Sequence, residues 1–409
     1  MTESKKHDNR VILLCWAAYT VAYIGRLNLN AYIEPMRDQL GFSKTELGLV
    51  SSFFFISYGV GQLVHGILSR KYNTRYSVAV ALSGSAAMNV LMAFCTDVTP
   101  MKIIWFFNGV FQSILWSSVI KTLSQRLPDE KLPRAVIVIS TPPALGTFLV
   151  YGLSALFSSM QVCYRFIFLL PALMLVIIGG IWFAGLRNSA LPYEKDIKSD
   201  SGISDGKISF TPVFIIVAVF IVLSAVANGF IKDGVTIWTP SILKESYGLK
   251  ESLSILATVV LPFIAVFGAA LSTALHRKLK NTSALNGILY SAEAVILLLV
   301  LFVSRSSAIK NPVPLILLFC LSAMLMSAVN NVITSIIPLY MRDKMDSGLI
   351  AGVLDTFCYV GSTLSTGMLG FIADRNSWSG VFICLFVFGL AACVFCFISA
   401  FMNRKQYIS

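Results

Sequence analysis

The chain has 409 residues, of which 56% are hydrophobic and 13% charged, and its 32 Lys and Arg against 20 Asp and Glu give a net charge of +12. Soluble domains carry about 25% charged residues, so this composition excludes a water-soluble globule, and it excludes intrinsic disorder for the same reason. Apolar runs of about 20 residues, the length that crosses a hydrocarbon core of about 30 Å, recur along the sequence. The composition therefore indicates a polytopic membrane protein.

The predicted elements, in chain order, are twelve membrane-spanning helices. We expect them at residues 11–35, 46–69, 76–95, 101–125, 134–157, 164–186, 212–243, 252–275, 284–304, 312–340, 346–373 and 378–402. Of the 32 Lys and Arg residues, 20 lie in the N-terminus, the even-numbered connections and the C-terminus. Because cytoplasmic loops are enriched in Lys and Arg, both termini are predicted to be cytoplasmic. The same pattern assigns the basic charge to membrane topology and predicts no nucleic-acid partner.

One long polar stretch, residues 187–211, divides the sequence. It holds Pro, Gly, Ser and charges of both signs, which predicts a flexible cytoplasmic linker between an N-terminal six-helix bundle (1–186) and a C-terminal one (212–409). The halves resemble each other, because Arg26 and Lys232 are each followed by a proline eight or nine residues later and by a glycine fifteen or sixteen residues later. Such repeats are typical of secondary transporters, whose substrate site lies at the midplane between the repeats. The sequence lacks a Walker-type phosphate loop, so ATP is not expected to supply the energy.

Three cations, Arg26, Lys121 and Lys232, fall inside predicted helices. An arginine at mid-bilayer costs about 2.5–3.5 kcal/mol even on lenient insertion scales, so we expect Arg26 to face a wet cavity. There its fork can bind a phosphate or carboxylate through two hydrogen bonds, and the alternative is a salt bridge with an acid such as Asp355. Lys232 supplies charge without the fork, and an interdomain salt bridge is its alternative role.

Two further charged residues have alternatives of their own. Asp233 follows Lys232 directly, but helix neighbours point about 100° apart, so Asp233 need not neutralise Lys232; charge pairing or coupling is its candidate role. Lys121 lies about one and a half helical turns from Arg126, at the predicted cytoplasmic end of its span, so its ammonium could reach the membrane surface instead of a cavity.

Several stretches resemble a known family. Residues Gly66 to Arg75 resemble the loop signature of the major facilitator superfamily, with Arg70 at a position that is usually acidic. A more specific similarity, over most of the chain, is to the organophosphate:phosphate antiporters, the family of glycerol-3-phosphate and hexose-phosphate transporters. It is carried by Tyr19-Thr-Val-Ala-Tyr23-Ile-Gly-Arg26-Leu-Asn28, Tyr58-Gly-Val-Gly-Gln62, Trp116-Ser-Ser-Val-Ile-Lys121, Lys232-Asp-Gly-Val-Thr-Ile-Trp238-Thr-Pro240, and Gly348-Leu-Ile-Ala-Gly352 through Tyr359 to Gly370-Phe-Ile-Ala-Asp374.

The resemblance implies roles for these residues. The family's matching arginine binds phosphate at the position of Arg26, and the position of Lys232 usually holds arginine. Lys121 matches a cation at the cavity rim. The tyrosines that match pocket tyrosines of the family are Tyr19, Tyr23, Tyr58 and Tyr359. Tyr19 and Tyr23 precede Arg26 by seven and three residues and therefore share its helical face, although a membrane tyrosine can also serve interfacial packing.

Some positions depart from the family pattern. Gln62 stands where glycerol-phosphate carriers have lysine, Pro143 where a site histidine is expected, and Gly229 where the family has a pocket tyrosine. Asn330 and Asn331 replace a Gly-Pro pair.

Asp355, in the middle of the eleventh predicted span, has no obvious family equivalent. It could pair with Arg26 or Lys232 when the site is empty, contact a substrate ammonium, or carry a coupling proton.

The sequence thus predicts an all-α major facilitator transporter that moves a small organic anion by alternating access. By resemblance, the substrate is a phosphorylated metabolite exchanged for inorganic phosphate. One alternative is a proton-coupled carrier of carboxylates or amphoteric compounds, including efflux, that uses Asp355; another is a sensor of the same fold. We see no catalytic pattern and predict no enzyme activity, cofactor or metal. The expected setting is the lipid bilayer of the cell membrane, with a monomer as the default state.

Overall fold

The computed structural model describes residues 3–68, 73–139, 141–186, 212–306, 311–341 and 347–403, and the regular structure within these ranges is helical. Its contacts divide the chain into two compact units. One comprises Met1–Gly41 with Phe53–Asp200, and the other comprises Phe42–Ser52 with Ser201–Ser409. The predicted linker, 187–211, lies outside the described residues, so its flexibility stays a prediction.

In the first part of the chain, each helix ends where Gly, Pro or polar residues interrupt an apolar run. They are α1 (Glu3–Ala31), α2 (Ile33–Leu40), α3 (Lys44–Leu68), α4 (Thr74–Phe94), α5 (Val98–Arg126), α6 (Leu132–Ile139), α7 (Pro142–Ser159) and α8 (Arg165–Gly185). A short 3-10 turn, Asp129–Lys131, precedes α6. Gly41, with a φ of 73°, closes α2 in the left-handed conformation that glycine adopts without strain.

The remaining helices belong to the second unit. They are α9 (Pro212–Tyr247), α10 (Glu251–Thr258), α11 (Val260–Lys278), α12 (Thr282–Arg305), α13 (Val313–Asn331), α14 (Ile337–Tyr340) and α15 (Ser347–Asn403). A π-helical turn, Val332–Ile336, joins α13 to α14.

Eleven helical segments of the described residues are long and apolar enough to cross a membrane, and they match eleven of the twelve predicted spans. The exception is 134–157, where the chain forms α6 and the 18-residue α7 with a break between them. Pro142 and Pro143 open α7, and neither proline has the N–H donor that would continue the hydrogen bonds of α6. The pair therefore interrupts the apolar run, and the count of twelve spans stays a prediction.

The last helix, α15, is assigned as one run of 57 residues, which would measure about 86 Å if it were straight. It is not straight, because Leu369 and Leu385 approach the same point on α9. Their Cδ atoms lie 2.7 and 3.5 Å from where a Cβ on Gly234 would stand, whereas sixteen residues of straight helix would separate them by about 24 Å. The run therefore folds back, and its two arms are the candidate spans Leu349–Arg375 and Trp378–Met402.

Helix α8 shows how these elements suit a bilayer. Its buried side packs Ala172, Leu175 and Trp182 into the interior of the first unit. Its other side leaves the large apolar side chains of Leu173 and Ile177 at 56% and 50% exposure. Such stripes would be a liability in water, but hydrocarbon solvates them at no cost, so the exposed surface agrees with membrane insertion.

The second unit also includes the start of α3. The Asp374 carboxylate accepts hydrogen bonds from the Thr45 N–H and hydroxyl, at 2.8 and 2.6 Å. Lys44 Nζ lies 2.9 Å from a Glu245 carboxylate oxygen, and the other Glu245 oxygen accepts from Trp378 Nε1 at 2.9 Å. A carboxylate at a helix N-terminus satisfies its free N–H groups and is favoured by its dipole, which explains why residues 42–52 group with this unit.

Candidate functional site

In the first unit, Arg26 is buried, with 9% of its surface exposed, and it lies among tyrosine rings. Its guanidinium carbon is 3.7 Å from the ring centroid of Tyr23 on the same helix and 5.0 Å from that of Tyr58 on α3. Both distances are within the range of cation–π attraction. The spacing of three along α1 places Tyr23 under the guanidinium, as the sequence predicted.

Two more of the predicted residues extend this group. The Tyr19 ring meets the Tyr23 ring edge-to-face at 5.2 Å, and Gln62 Nε2 donates a hydrogen bond to the Tyr58 hydroxyl at 3.0 Å. We call Tyr19, Tyr23, Arg26, Tyr58 and Gln62 the Arg26 cluster. Related carriers have a lysine at the position of Gln62. The neutral Gln62 amide instead orients the Tyr58 hydroxyl and adds no second positive charge to the cluster.

A buried polar network, which sequence reasoning missed, holds the backbone just before Arg26. The Gly25 carbonyl accepts hydrogen bonds from Asn89 Nδ2 at 2.9 Å and from Asn108 Nδ2 at 3.2 Å. Asn28 Nδ2 in turn donates to Asn89 Oδ1 at 2.7 Å. All three asparagines are fully buried. The available signal was an asparagine inside each of three predicted spans, since membrane asparagines serve as interhelical hydrogen-bond partners.

The stretch that replaces the expected histidine packs against α1. A Cβ on Gly146 would lie only 2.4 Å from the Tyr23 Cβ, and Thr141 Oγ1 accepts from Trp16 Nε1 at 2.9 Å. Glycine is thus required for α7 to approach Tyr23 this closely, whereas Pro143 contributes no hydrogen-bonding side chain to the region.

Lys121 lies on α5, five residues after Trp116, and is partly buried. The Trp116 ring reaches the Tyr19 ring of the Arg26 cluster, with centroids 5.2 Å apart. The role of Lys121 itself at a cavity rim stays a prediction.

In the second unit, Lys232 and Asp233 lie near the middle of α9. Lys232 Nζ is 3.9 Å from an Asp233 carboxylate oxygen, and the other oxygen accepts a hydrogen bond from Ser362 on α15. The angle between adjacent residues does not require this pairing, but the flexible lysine stem is long enough to allow it. The ion pair is long, and 33% of the Lys232 side chain is exposed, so its ammonium is accessible.

Two glycines explain how α9 and α15 cross at this point. A Cβ on Gly229 would lie 1.8 Å from the Cys358 carbonyl oxygen, and one on Gly361 would lie 1.9 Å from the Val226 carbonyl oxygen. No larger residue fits either position without moving the backbone. The departure from the family pattern at Gly229 therefore reflects a close helix crossing, in which a tyrosine has no room.

The crossing brings charged residues together near the buried Cys358. Asp355 precedes Cys358 by three residues on α15, and Ser362, which donates to Asp233, follows it by four, so they share the helical face that meets α9. Tyr359 follows Asp355 by four residues and so shares its helical face, and it is partly buried. We call Lys232, Asp233, Asp355 and Tyr359 the Lys232 cluster.

No group of three His, Cys, Asp or Glu side chains among the described residues could hold a metal ion. The Arg26 cluster combines a cation with phenol hydroxyls and an amide, groups that bind anions, whereas the Lys232 cluster combines its cation with a phenol and two carboxylates.

The sequence model of the Major Facilitator Superfamily matches residues 15–365. The chain belongs to this superfamily. Members of it are transporters and not enzymes, and this one is a multi-pass protein of the cell membrane.

Curated relatives agree with the more specific resemblance to organophosphate:phosphate antiporters. The glycerol-3-phosphate transporter of Bacillus subtilis is 26% identical over 94% of this chain and 90% of its own length. A "Probable hexose phosphate transport protein" of Chlamydia pneumoniae is 22% identical over 92% and 87%. The membrane sensor protein UhpC of Escherichia coli is 31% identical, but over only 26% of this chain and 24% of its own.

Solved structures share the fold. A bacterial homolog of the human lysosomal transporter Spinster has a TM-score of 0.77 at 13% identity, covering 99% of this chain and 98% of its own. The nucleoside transporter NupG has a TM-score of 0.72 at 14% identity, covering 97% and 99%. At these identities the likeness establishes the major facilitator fold and nothing about substrate.

Proposed function

We propose that this protein is a secondary transporter of a small organic anion, and that its cycle exchanges a phosphate monoester for inorganic phosphate. The observation that carries the proposal is the buried Arg26 guanidinium held against tyrosine rings in the first unit. A membrane helix tolerates a buried arginine where an anion or cavity compensates its charge. The relatives named for glycerol-3-phosphate and hexose phosphate supply the substrate class.

Arg26 would bind the phosphoryl group through its fork. The Tyr23 and Tyr58 rings restrict the guanidinium, so less rotamer freedom is lost when the anion binds. Tyr58 is itself oriented by Gln62, which favours its hydroxyl as a further donor to the phosphoryl oxygens. The network on the Gly25 carbonyl keeps the backbone at Arg26 from shifting as anions enter and leave.

Lys232 would be the second cation that transport requires. Its pair with Asp233 is long, at 3.9 Å, so a phosphoryl oxygen can compete for the ammonium at small cost. Asp233 keeps its hydrogen bond from Ser362 when that happens. An anion that binds one conformational state better than another shifts the population toward it, and exchange is obligatory if the empty carrier rarely reorients.

A second candidate function is proton-coupled transport of carboxylates or amphoteric compounds. It is favoured by a second carboxylate, Asp355, which lies seven residues before Ser362 on α15 and so shares the helical face of the residue that donates to Asp233. In that case Asp355 would take up and release the coupling proton.

The test uses purified protein in liposomes preloaded with phosphate. Labelled phosphate exchange is followed against glycerol phosphate, sugar phosphates and plain carboxylates, for the parent, Arg26→Gln and Lys232→Gln. Lys102→Gln, which removes a partly buried cation near the start of α5, is the matched control. Loss of a charged hydrogen-bond partner costs about 2–5 kcal/mol, so exchange should fall at least about 30-fold in the two variants and stay unchanged in the control.

Two results would contradict the proposal. If phosphate exchange survives in Arg26→Gln, Arg26 does not bind the phosphoryl group. Absence of phosphate exchange, together with carboxylate uptake that follows a pH gradient and stops in Asp355→Asn, establishes the proton-coupled function in its place.

A further inference from the structure

A cavity of about 450 Å³ lies between α11 and α13 in the second unit, and none of its lining residues belongs to the Lys232 cluster. This volume is within the range of about 300–1,000 Å³ that small-molecule sites occupy. The lining residues are Ala269, Ala270, Thr273, Ala274, Arg277 and Asn331. Asn331 belongs to the asparagine pair that departs from the family pattern.

The cavity exists because α11 presents small residues on one face. Ala270 and Ala274 are four residues apart, as are Thr273 and Arg277, so each pair stacks along the helix. The neighbouring face brings α11 onto α13, since a Cβ on Gly268 would lie 2.3 Å from the Met324 carbonyl oxygen. The two helices thus touch at Gly268 and leave space toward the end of α11.

The polar lining consists of donors. Arg277 is exposed in the last turn of α11 and makes no hydrogen bond or ion pair with any residue the structure describes. The sequence from 252 to 292 contains no Asp or Glu. Asn331 donates one amide N–H to Ser272 Oγ at 3.0 Å and has a second N–H to offer. Thr273 already donates its hydroxyl to the Ala269 carbonyl.

We propose that this cavity binds a phosphate-bearing anion, with the Arg277 guanidinium and the second Asn331 N–H on the phosphoryl oxygens and the three alanines against the organic part. Arginine forks match phosphate oxygens in charge and geometry. Two sources can present this group: a soluble phosphate ester, which rests on the proposed function, or a phospholipid headgroup, since Arg277 is one residue from the end of the candidate span Glu251–Lys278.

The experiment measures protection of a thiol introduced in the cavity. Ala270→Cys and, in a second protein, Thr273→Cys are treated with N-ethylmaleimide in nanodiscs, and modification at that position is read by peptide mass, so the native cysteines stay in place. One arm adds sn-glycerol 3-phosphate to neutral-lipid discs, with glycerol as its control. The other arm replaces the neutral lipid by phosphatidylglycerol. Lys278→Cys, at an exposed residue outside the cavity lining, reports general effects.

We expect labelling at position 270 or 273 to slow about fivefold at a ligand concentration of about four times Kd, with no change at 278. Adding Arg277→Gln should abolish the protection, whereas Lys280→Gln, which removes a nearby cation outside the lining, should not. Protection by the soluble ester identifies the transported anion as the ligand, and protection by phosphatidylglycerol identifies the headgroup; both support the site.

Three outcomes overturn it: thiols at both cavity positions that never react, labelling that neither source slows, or protection that persists in Arg277→Gln. The labelling rate reports how much of the cavity is occupied by ligand, and this occupancy does not depend on transport. Repeating it in Arg26→Gln therefore separates this site from the proposed function, because protection should persist there even when exchange is lost.

Discussion

Tyr23 and Arg26 show what a single contact contributes at the residue scale. The guanidinium carbon lies 3.7 Å from the Tyr23 ring centroid. The cation–π attraction at this distance comes from the aromatic ring and does not need the hydroxyl. Cation–π contacts are worth about 0.5–2 kcal/mol, more when desolvated.

Replacing the ring should therefore matter more than removing the hydroxyl. We expect Tyr23→Leu to weaken the apparent affinity for a phosphate ester by about 2- to 30-fold, while Tyr23→Phe stays within about twofold of the parent. Exchange in proteoliposomes at varied ester concentration measures both. Equal losses in the two variants would show that the hydroxyl, as a donor to substrate, carries the effect.

Gly229 is a residue whose role could not be read from the sequence. The resemblance identified it as a missing tyrosine, but only the crossing of α9 and α15 shows that a Cβ would meet the Cys358 carbonyl at 1.8 Å. Whether Lys232 pairs with Asp233 was likewise left open by the sequence, because side-chain reach can outweigh the angle between neighbouring residues. By contrast, the grouping of Tyr19, Tyr23 and Arg26 followed from helical spacing alone.

Gly229→Ala should therefore destabilise the protein although it adds a single methyl group. Overpacking costs about 1–3 kcal/mol when side chains can adjust, and here the obstacle is backbone. Thermal unfolding in detergent measures the loss. Gly152→Ala is the control, because a Cβ there meets nothing within 4 Å, and it should leave the unfolding temperature unchanged. Equal unfolding temperatures for both variants would refute the close crossing.

At the scale of elements, the asparagine network ties α4 and α5 to α1 beside Arg26. Helix positions were predictable because apolar length and flanking charge determine them. The network was not, since which asparagines meet depends on the rotation of three helices about their axes. The break before α7 was also missed, although the Pro142-Pro143 pair that causes it was visible inside the predicted span.

Asn89→Leu should lower both stability and transport. It removes a donor to the Gly25 carbonyl and leaves one Asn28 N–H without an acceptor, while Asn28 keeps its bond to the Ile167 carbonyl; a buried unsatisfied group costs about 1–3 kcal/mol. The unfolding temperature in detergent and the ester affinity should fall together. Val90→Leu, on the next residue and 40% exposed, serves as the control. An Asn89→Leu protein with normal affinity would mean that the network stabilises the unit without positioning Arg26.

For the whole molecule, orientation in the membrane follows from the distribution of Lys and Arg and awaits a direct test. Cys163 is an exposed cysteine between α7 and α8, in a connection that the positive-inside rule places outside the cell. A membrane-impermeant thiol reagent applied to intact cells should label it. A cysteine introduced by Lys280→Cys, in a connection predicted to be cytoplasmic, should react only after permeabilisation. The reverse pattern would invert the topology.

The return of α15 onto α9 has a consequence for biosynthesis. Phe230 of α9 stacks on Phe388 of the second arm at a centroid distance of 3.8 Å, and Gly234 receives side chains from both arms. Helix α9, which ends at Tyr247, therefore lacks part of its packing until the second arm of α15, Trp378–Met402, has been translated. During that interval its glycine-lined groove faces lipid or a membrane chaperone, and a nascent chain that stops before residue 378 would remain open to quality-control proteases.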